Sequence, residues 1–270
     1  MARDEIPAGG RSATRPRRRK TLGQHHLRDP RRARPLVEHL GVDGATVVEV
    51  GPGGGALTGA LVEAGAARVV AVELDPAWAF RLRAGERVLP VVADALGLAW
   101  ERIPAAWRVA GNLPYNVGTA ILERLVSSGP AGLRAAFLLQ KEVVDRLVAA
   151  PGTSAYGALS VLVAVRAAVR RLGDLPPSAF RPTPKVESSF VGLELRPPAF
   201  GAGGAAAFEA VVRAAFGQRR KTLRNALGAV WGRERAEAAL AQAGIDPELR
   251  AERLGVAEFA ALGAALAAPA

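Results

Sequence analysis

The chain contains no cysteine, which excludes disulfide staples, thiolate metal sites and cysteine nucleophiles. One reaction class goes with them: methylation of a pyrimidine at carbon usually proceeds through a cysteine adduct, whereas methylation of an amine needs none. No apolar run reaches the roughly 20 residues that span a bilayer. No secretory leader is expected either, since Arg11 to Lys20 is a basic, proline-containing stretch. These absences predict a cytoplasmic protein with no membrane partner and no metal centre. What is present is apolar in half of its 270 residues, enough for one large core and a smaller appended domain.

Acidic residues are scarce where the chain begins. Residues 1–34 hold eleven Lys/Arg against Asp4, Glu5 and Asp29, so most of the net charge of +11 sits in an N-terminal arm. Within it, residues 1–19 are expected to be disordered. A second basic knot, Gln218-Arg219-Arg220-Lys221-Thr222-Leu223-Arg224, lies near the C-terminal end. Positive charge gathered into patches favours a polyanionic partner through counterion release. A solubilising tail or an arginine-rich coding bias gives the same composition, which by itself does not separate RNA, DNA and anionic lipid.

Four short runs rich in β-branched residues each end on a glycine or polar signal. Thr46–Val50 runs into Gly51-Pro52-Gly53-Gly54-Gly55, Arg68–Val72 into Glu73, Val88–Ala93 into Asp94, and Arg108–Gly111 into Asn112. From Gly53 the steps are 20, 21 and 18 residues, each room for a strand and a crossover. Helices are expected at Ala56–Ala64 and Pro76–Ala84. This alternation predicts an α/β fold with a parallel sheet whose ligands bind at the carboxyl ends of the strands, where all four signals lie.

Gly51, Gly53 and Gly55 let the backbone turn tightly and approach a ligand. Glu73, directly after four apolar residues, is placed to accept both hydroxyls of a ribose. Asp94 either accepts from an adenine amine or caps the following helix. Asn112-Leu113-Pro114-Tyr115 presents an amide oxygen, a backbone carbonyl and an aromatic face together, which suits a flat ring bearing an exocyclic amine. These features permit a dinucleotide or S-adenosylmethionine. The glycine spacing departs from G-x-G-x-x-G, and the fourth strand ends in an amine-reading cluster, so the methyl donor is favoured.

Further along, Pro176, Pro177, Pro182 and Pro184 stiffen a loop centred on Phe180. A ring there is either a lid over a pocket or a plug in the core, and burial statistics favour the plug. After Leu195-Arg196-Pro197-Pro198 the segment 199–206 reads as a Gly/Ala linker. Phe208–Phe216, Thr222–Val230, Arg233–Ala243 and Val256–Ala267 then read as helices of a small domain from about residue 205 to the C-terminus.

Taken in order, these segments resemble the ribosomal RNA adenine N6-dimethyltransferases. The motifs that carry the resemblance are Lys20-Thr21-Leu22-Gly23-Gln24-His25-His26-Leu27, Glu49–Thr58, Val72-Glu73-Leu74-Asp75, Gly111–Asn116, Leu139-Gln140-Lys141-Glu142-Val143, Tyr156-Gly157, Pro177–Ser188 and Phe216–Asn225. They cover roughly residues 20–260. The resemblance implies a Rossmann-like class I methyltransferase sheet over residues 20–198 and a helical rRNA-binding domain over 205–270. It implies S-adenosylmethionine as cofactor, and a monomer that dimethylates two adjacent adenosines near the 3′ end of 16S rRNA in the small ribosomal subunit or its precursor.

By the same resemblance, Gln24, His25 and Leu27 line the methionine end of the donor above Gly51 and Gly53. Glu73 holds the ribose and Asp94 the donor adenine. Asn112, which also borders the donor, and the carbonyls of Leu113 and Pro114 receive the target N6, while Tyr115 and Phe180 stack on the flipped base. His26 departs from the family, which generally has Phe there, so packing behind the donor pocket is expected to differ. Rivals are a macrolide-resistance methyltransferase acting on 23S rRNA, a DNA adenine methyltransferase, and a non-catalytic assembly factor that kept the fold.

Overall fold

The structure is a computed structural model that describes residues 25–82, 86–200, 204–218 and 220–267. Residues 1–24, which include the stretch 1–19 expected to be disordered and Gln24, lie outside the described residues, as does Arg219. In chain order the first part comprises His26–Leu27 (β1), Arg34–Leu40 (α1), Thr46–Val50 (β2), Ala56–Glu63 (α2), Arg68–Glu73 (β3), Pro76–Ala79 (α3), Val88–Val92 (β4), Arg108–Asn112 (β5) and Gly118–Ser128 (α4). Arg134–Gln140 (β6), Lys141–Leu147 (α5), Ala158–Ala164 (α6), Ala167–Leu175 (β7), Phe180–Arg181 (β8) and Ser188–Leu195 (β9) follow.

Seven of these strands form one sheet in the order β4-β3-β2-β5-β6-β9-β7. The first five run parallel, and β9 lies antiparallel between β6 and β7. The direction of strand addition reverses between β2 and β5, so the loops leaving those two strands diverge and open a crevice at their carboxyl ends. Both faces are covered, which is why the strands read as unbroken apolar runs. On β6, Ala135, Phe137 and Leu139 join the core under α4, while Ala136 and Leu138 join the core under α1 and α2.

The four expected strands and the first expected helix are present, with Asn112 itself the last residue of β5. The second helix is shorter than expected: α3 ends at Ala79 and continues as a 3-10 turn over Phe80–Leu82. Between β4 and β5 the connection holds 3-10 turns at Ala95–Gly97 and Trp100–Arg102 in place of an α-helix. There Trp100 is fully buried and fills the space a helix would cover.

The C-terminal helices are Ala205–Gly217 (α7), Leu223–Trp231 (α8), Arg233–Gln242 (α9) and Val256–Ala267 (α10). Their apolar core does not stop at the linker. Tyr156, Val161 and Val165, from the α6 region, share it with Phe208, Leu227 and Phe259. The Tyr156 hydroxyl donates to the Leu254 carbonyl at 2.9 Å. The helical unit is therefore clamped onto the sheet unit through a common core.

Candidate active site

The donor half of the crevice is built where β2 gives way to its glycine turn. Gly53 has φ of 48°, a left-handed conformation, and a Cβ placed on it would run into the His26 ring. Only glycine satisfies both conditions. The Gly53 N–H donates to Glu73 Oε2 at 3.1 Å, and the Asp75 N–H donates to Oε1 at 3.1 Å. Glu73 is 3% exposed. Burial pushes its pKa up, opposed by these backbone donors.

Behind the turn lies a second carboxyl, Glu49, 1% exposed. The Thr58 hydroxyl donates to its Oε2 at 2.6 Å. Burial, reinforced by the nearby Glu73, pushes its pKa up to about 7. The sequence marked Glu49 only as part of a motif; its burial follows from β2 being covered on both faces.

The acceptor half is the end of β5. Asn112 Nδ2 donates to the main-chain oxygen of His25 at 2.7 Å, which assigns the amide and leaves Oδ1 as the acceptor. His25 Nδ1 lies 2.8 Å from the Pro182 carbonyl, so Nδ1 carries the proton and donates. The ring of His25 packs against Tyr115, with centroids 5.2 Å apart. Tyr115 is half-buried, and its hydroxyl pairs with the Ser188 hydroxyl at 2.6 Å. Burial raises the phenol pKa.

The two halves face one open cleft of about 920 Å³. Glu73 and Asp94 supply carboxylates, Leu74, Leu96 and Ile121 supply apolar walls, and no Lys or Arg is among the described lining residues.

Comparison with known proteins bears directly on this cleft. The family model for ribosomal RNA adenine dimethylase matches residues 15–267. The chain belongs to that family. It is an adenine-methylating enzyme by kinship. A protein named ribosomal RNA small subunit methyltransferase A from Aromatoleum aromaticum is 46% identical, covering 91% of this chain and 93% of the relative. A namesake from Kineococcus radiotolerans is 42% identical over 97% and 90%. Among solved structures, a dimethyladenosine transferase from Plasmodium falciparum superposes with a TM-score of 0.71 at 21% identity, covering 88% of this chain and 96% of that one. The 23S rRNA methyltransferase ErmE gives 0.65 at 24% identity, over 89% and 98%. At those identities the superpositions speak for a shared α/β fold.

As a ribosomal RNA adenine dimethylase, the chain gathers His25, Gly51, Gly53, Glu73, Asp94, Asn112, Leu113, Pro114 and Tyr115 around the cleft. Asp94 combines both expected behaviours: it lines the cleft, and its Oδ1 accepts the Leu96 N–H at 2.9 Å as a cap. Two expected residues, Leu27 and Phe180, are not among the residues that line the cleft, and one expected backbone acceptor is already engaged. Leu27 lies behind the glycine turn, in the core with Leu36 and Leu57. The Pro114 carbonyl already accepts the Val117 and Gly118 N–H groups at 3.2 and 2.8 Å, so it turns into the start of α4 and cannot receive an amine. No described backbone N–H donates to the Leu113 carbonyl.

Phe180 is 0% exposed and is not among the residues that line the cleft. The register explains this. β8 pairs antiparallel with β1, with Phe180 opposite Leu27, and directly opposed side chains share a face. Leu27 points into the core, so Phe180 follows it and Arg181 faces out.

Proposed function

We propose that the cleft binds S-adenosylmethionine and that the enzyme dimethylates the N6 of adjacent adenosines in small-subunit rRNA. The donor set favours this ligand over a dinucleotide: two carboxylates and no Lys or Arg suit a cationic sulfonium with a ribose, and oppose a pyrophosphate. Glu73 accepts the ribose hydroxyls, Asp94 the donor adenine amine, and Leu74, Leu96 and Ile121 enclose its ring. His25 faces the methionine end over Gly51 and Gly53. The bound sulfonium supplies an electrophilic methyl group and leaves as a neutral thioether.

The chain's own residues do the rest. An arylamine is a poor nucleophile because its lone pair is delocalised into the ring. Asn112 Oδ1 and the Leu113 carbonyl accept the two N6 hydrogens, favouring a pyramidal nitrogen and localising that pair. Tyr115 stacks on the extruded base and recovers about 1–3 kcal/mol of lost stacking. The methylated ammonium is acidic and sheds its proton without a strong base. Positioning and electrostatics therefore carry the rate. The relatives' names guide the choice of a small-subunit substrate, and the working protein is read as a cytoplasmic monomer gripping RNA through its basic patches.

The observation that carries this reading is the amide orientation of Asn112 beside Tyr115. The test is incubation with labelled S-adenosylmethionine and separately prepared unmethylated small and large subunits, followed by nucleoside mapping. N6,N6-dimethyladenosine in small-subunit RNA is expected. Label confined to the large subunit would overturn the substrate assignment.

A further inference from the structure

Tyr115 stands on the turn between β5 and α4, where nothing in the turn itself fixes its ring. Its face packs against His25, and its hydroxyl is held from β9, two strands away in the sheet. Ser188 is the first residue of β9 and is 0% exposed. Its Cα pairs with Gln140 of β6 on one side and with Leu175 of β7 on the other. The preceding Glu187 carbonyl accepts the Lys141 N–H at 3.0 Å. The next residue is held too: Ser189 Oγ donates to the Gly173 carbonyl at 3.0 Å and to Asp174 Oδ1 at 2.6 Å. The Ser188 hydroxyl is thus set in a rigid three-strand frame, and its described side-chain partner is the Tyr115 hydroxyl at 2.6 Å.

A ring that only stacks needs no hydroxyl; phenylalanine would serve. A para hydroxyl tethered to a buried serine does something a bare ring cannot. It anchors the side chain at both ends and presets the plane on which a base lands. Presetting removes an ordering cost from the methylation step, in which the base must lie in line with the methyl group. We propose that Ser188 is a positioning residue for methyl transfer, acting through the orientation of Tyr115; this rests on the reading that Tyr115 stacks on the target adenine.

The test compares Ser188→Ala, Tyr115→Phe, the double variant and Tyr115→Ala in the full-length enzyme. Each is measured for single-turnover methylation of unmethylated small subunits at saturating donor, for half-saturating subunit concentration, and for donor affinity by calorimetry. Ser188→Ala and Tyr115→Phe should each slow the methylation step about fivefold, the size of one neutral hydrogen bond. Donor affinity and half-saturation should be unchanged. The double variant should be no slower than either single one, because both remove the same bond.

Tyr115→Phe breaks the tether without touching β9, so the inference can be judged even where Ser188→Ala folds poorly. Wild-type rates in Tyr115→Phe, with Tyr115→Ala impaired, would overturn the tether and leave stacking standing. Wild-type rates in Tyr115→Ala would overturn stacking itself. Additive losses, or losses that track donor affinity, would mark Ser188 as structural and overturn the proposal.

Discussion

Asn112 Nδ2 donates to the His25 carbonyl at 2.7 Å, across 87 residues of sequence. This bond joins the segment entering the fold to the end of the fourth strand in sequence, and it commits one end of the amide so that the other is free to accept. Asn112→Ala removes both functions. Loss of one preorganised polar group at a reacting centre typically costs about a hundredfold or more in turnover. Single-turnover methylation should fall by about that factor, while calorimetry should show donor affinity changed only slightly. Near-normal turnover would remove Asn112 from the chemistry.

Glu73 is expected to divide the two halves of the cleft differently. Its oxygens already accept N–H donors from Gly53 and Asp75, and a carboxylate retains lone pairs for two hydroxyls. Hydrogen bonds to a charged group contribute about 1.5–3 kcal/mol. Glu73→Ala should therefore weaken donor affinity by roughly tenfold to a hundredfold, measured by calorimetry without RNA. Normal affinity would rule out the ribose role.

Glu49 gives the fold a pH signature. Its pKa rises from 4.5 to about 7 on burial, so the folded state holds the proton more tightly than the unfolded chain. The stability it contributes is fully present below about pH 4.5 and is lost as pH rises towards 7. At ~1.4 kcal/mol per pKa unit, the loss is about 3 kcal/mol. Glu49→Gln keeps an acceptor for Thr58 and has no proton to lose. In urea unfolding from pH 4 to 8, the variant should gain on wild type by roughly that amount as pH rises. A constant difference across the range would show that Glu49 titrates alike in the folded and the unfolded chain, and that burial does not hold its proton.

Phe180 separates what the sequence encodes locally from what it encodes at a distance. Val47-Val48-Glu49-Val50 and Val69–Val72 were legible as buried parallel strands because both faces of such strands are apolar, and their glycine and acidic stops mark the ligand edge. β6 is alanine-rich and β7 carries Arg170, Arg171 and Asp174, so neither has a period that distinguishes a strand. The proline-rich loop was legible as rigid, but the side its ring faces depends on the pairing of Phe180 with Leu27. The tie from Tyr115 to Ser188 spans 73 residues, and no spacing rule reports it.

From that register follows a test of the plug. Phe180→Ala should cost about 3–5 kcal/mol in stability, as for a buried aromatic. Phe180→Leu keeps most of the apolar volume and should cost less than about 1.5 kcal/mol. If Phe180 is core alone, the leucine variant methylates at a rate close to wild type. A large rate loss at preserved stability would instead return Phe180 to the acceptor site.

The basic knot makes a prediction that separates grip from chemistry. Arg220 and Lys221 are exposed at the α7–α8 turn, whereas Arg224 is tied to Glu237 and Glu248 at 3.1 and 2.9 Å. Among the described residues of the knot, the exposed pair is the one open to phosphates, and each phosphate contact adds about 0.7–0.9 to the steepness of the log–log salt dependence of binding. Arg220→Ala with Lys221→Ala should therefore flatten the slope for small-subunit binding by about 1.4–1.8. Arg224→Ala should instead lower the melting temperature, because Glu248 loses its partner and Glu237 is left with Arg233 alone. Donor affinity should not respond to the double substitution. An unchanged slope would mean that the helical unit meets RNA through another face.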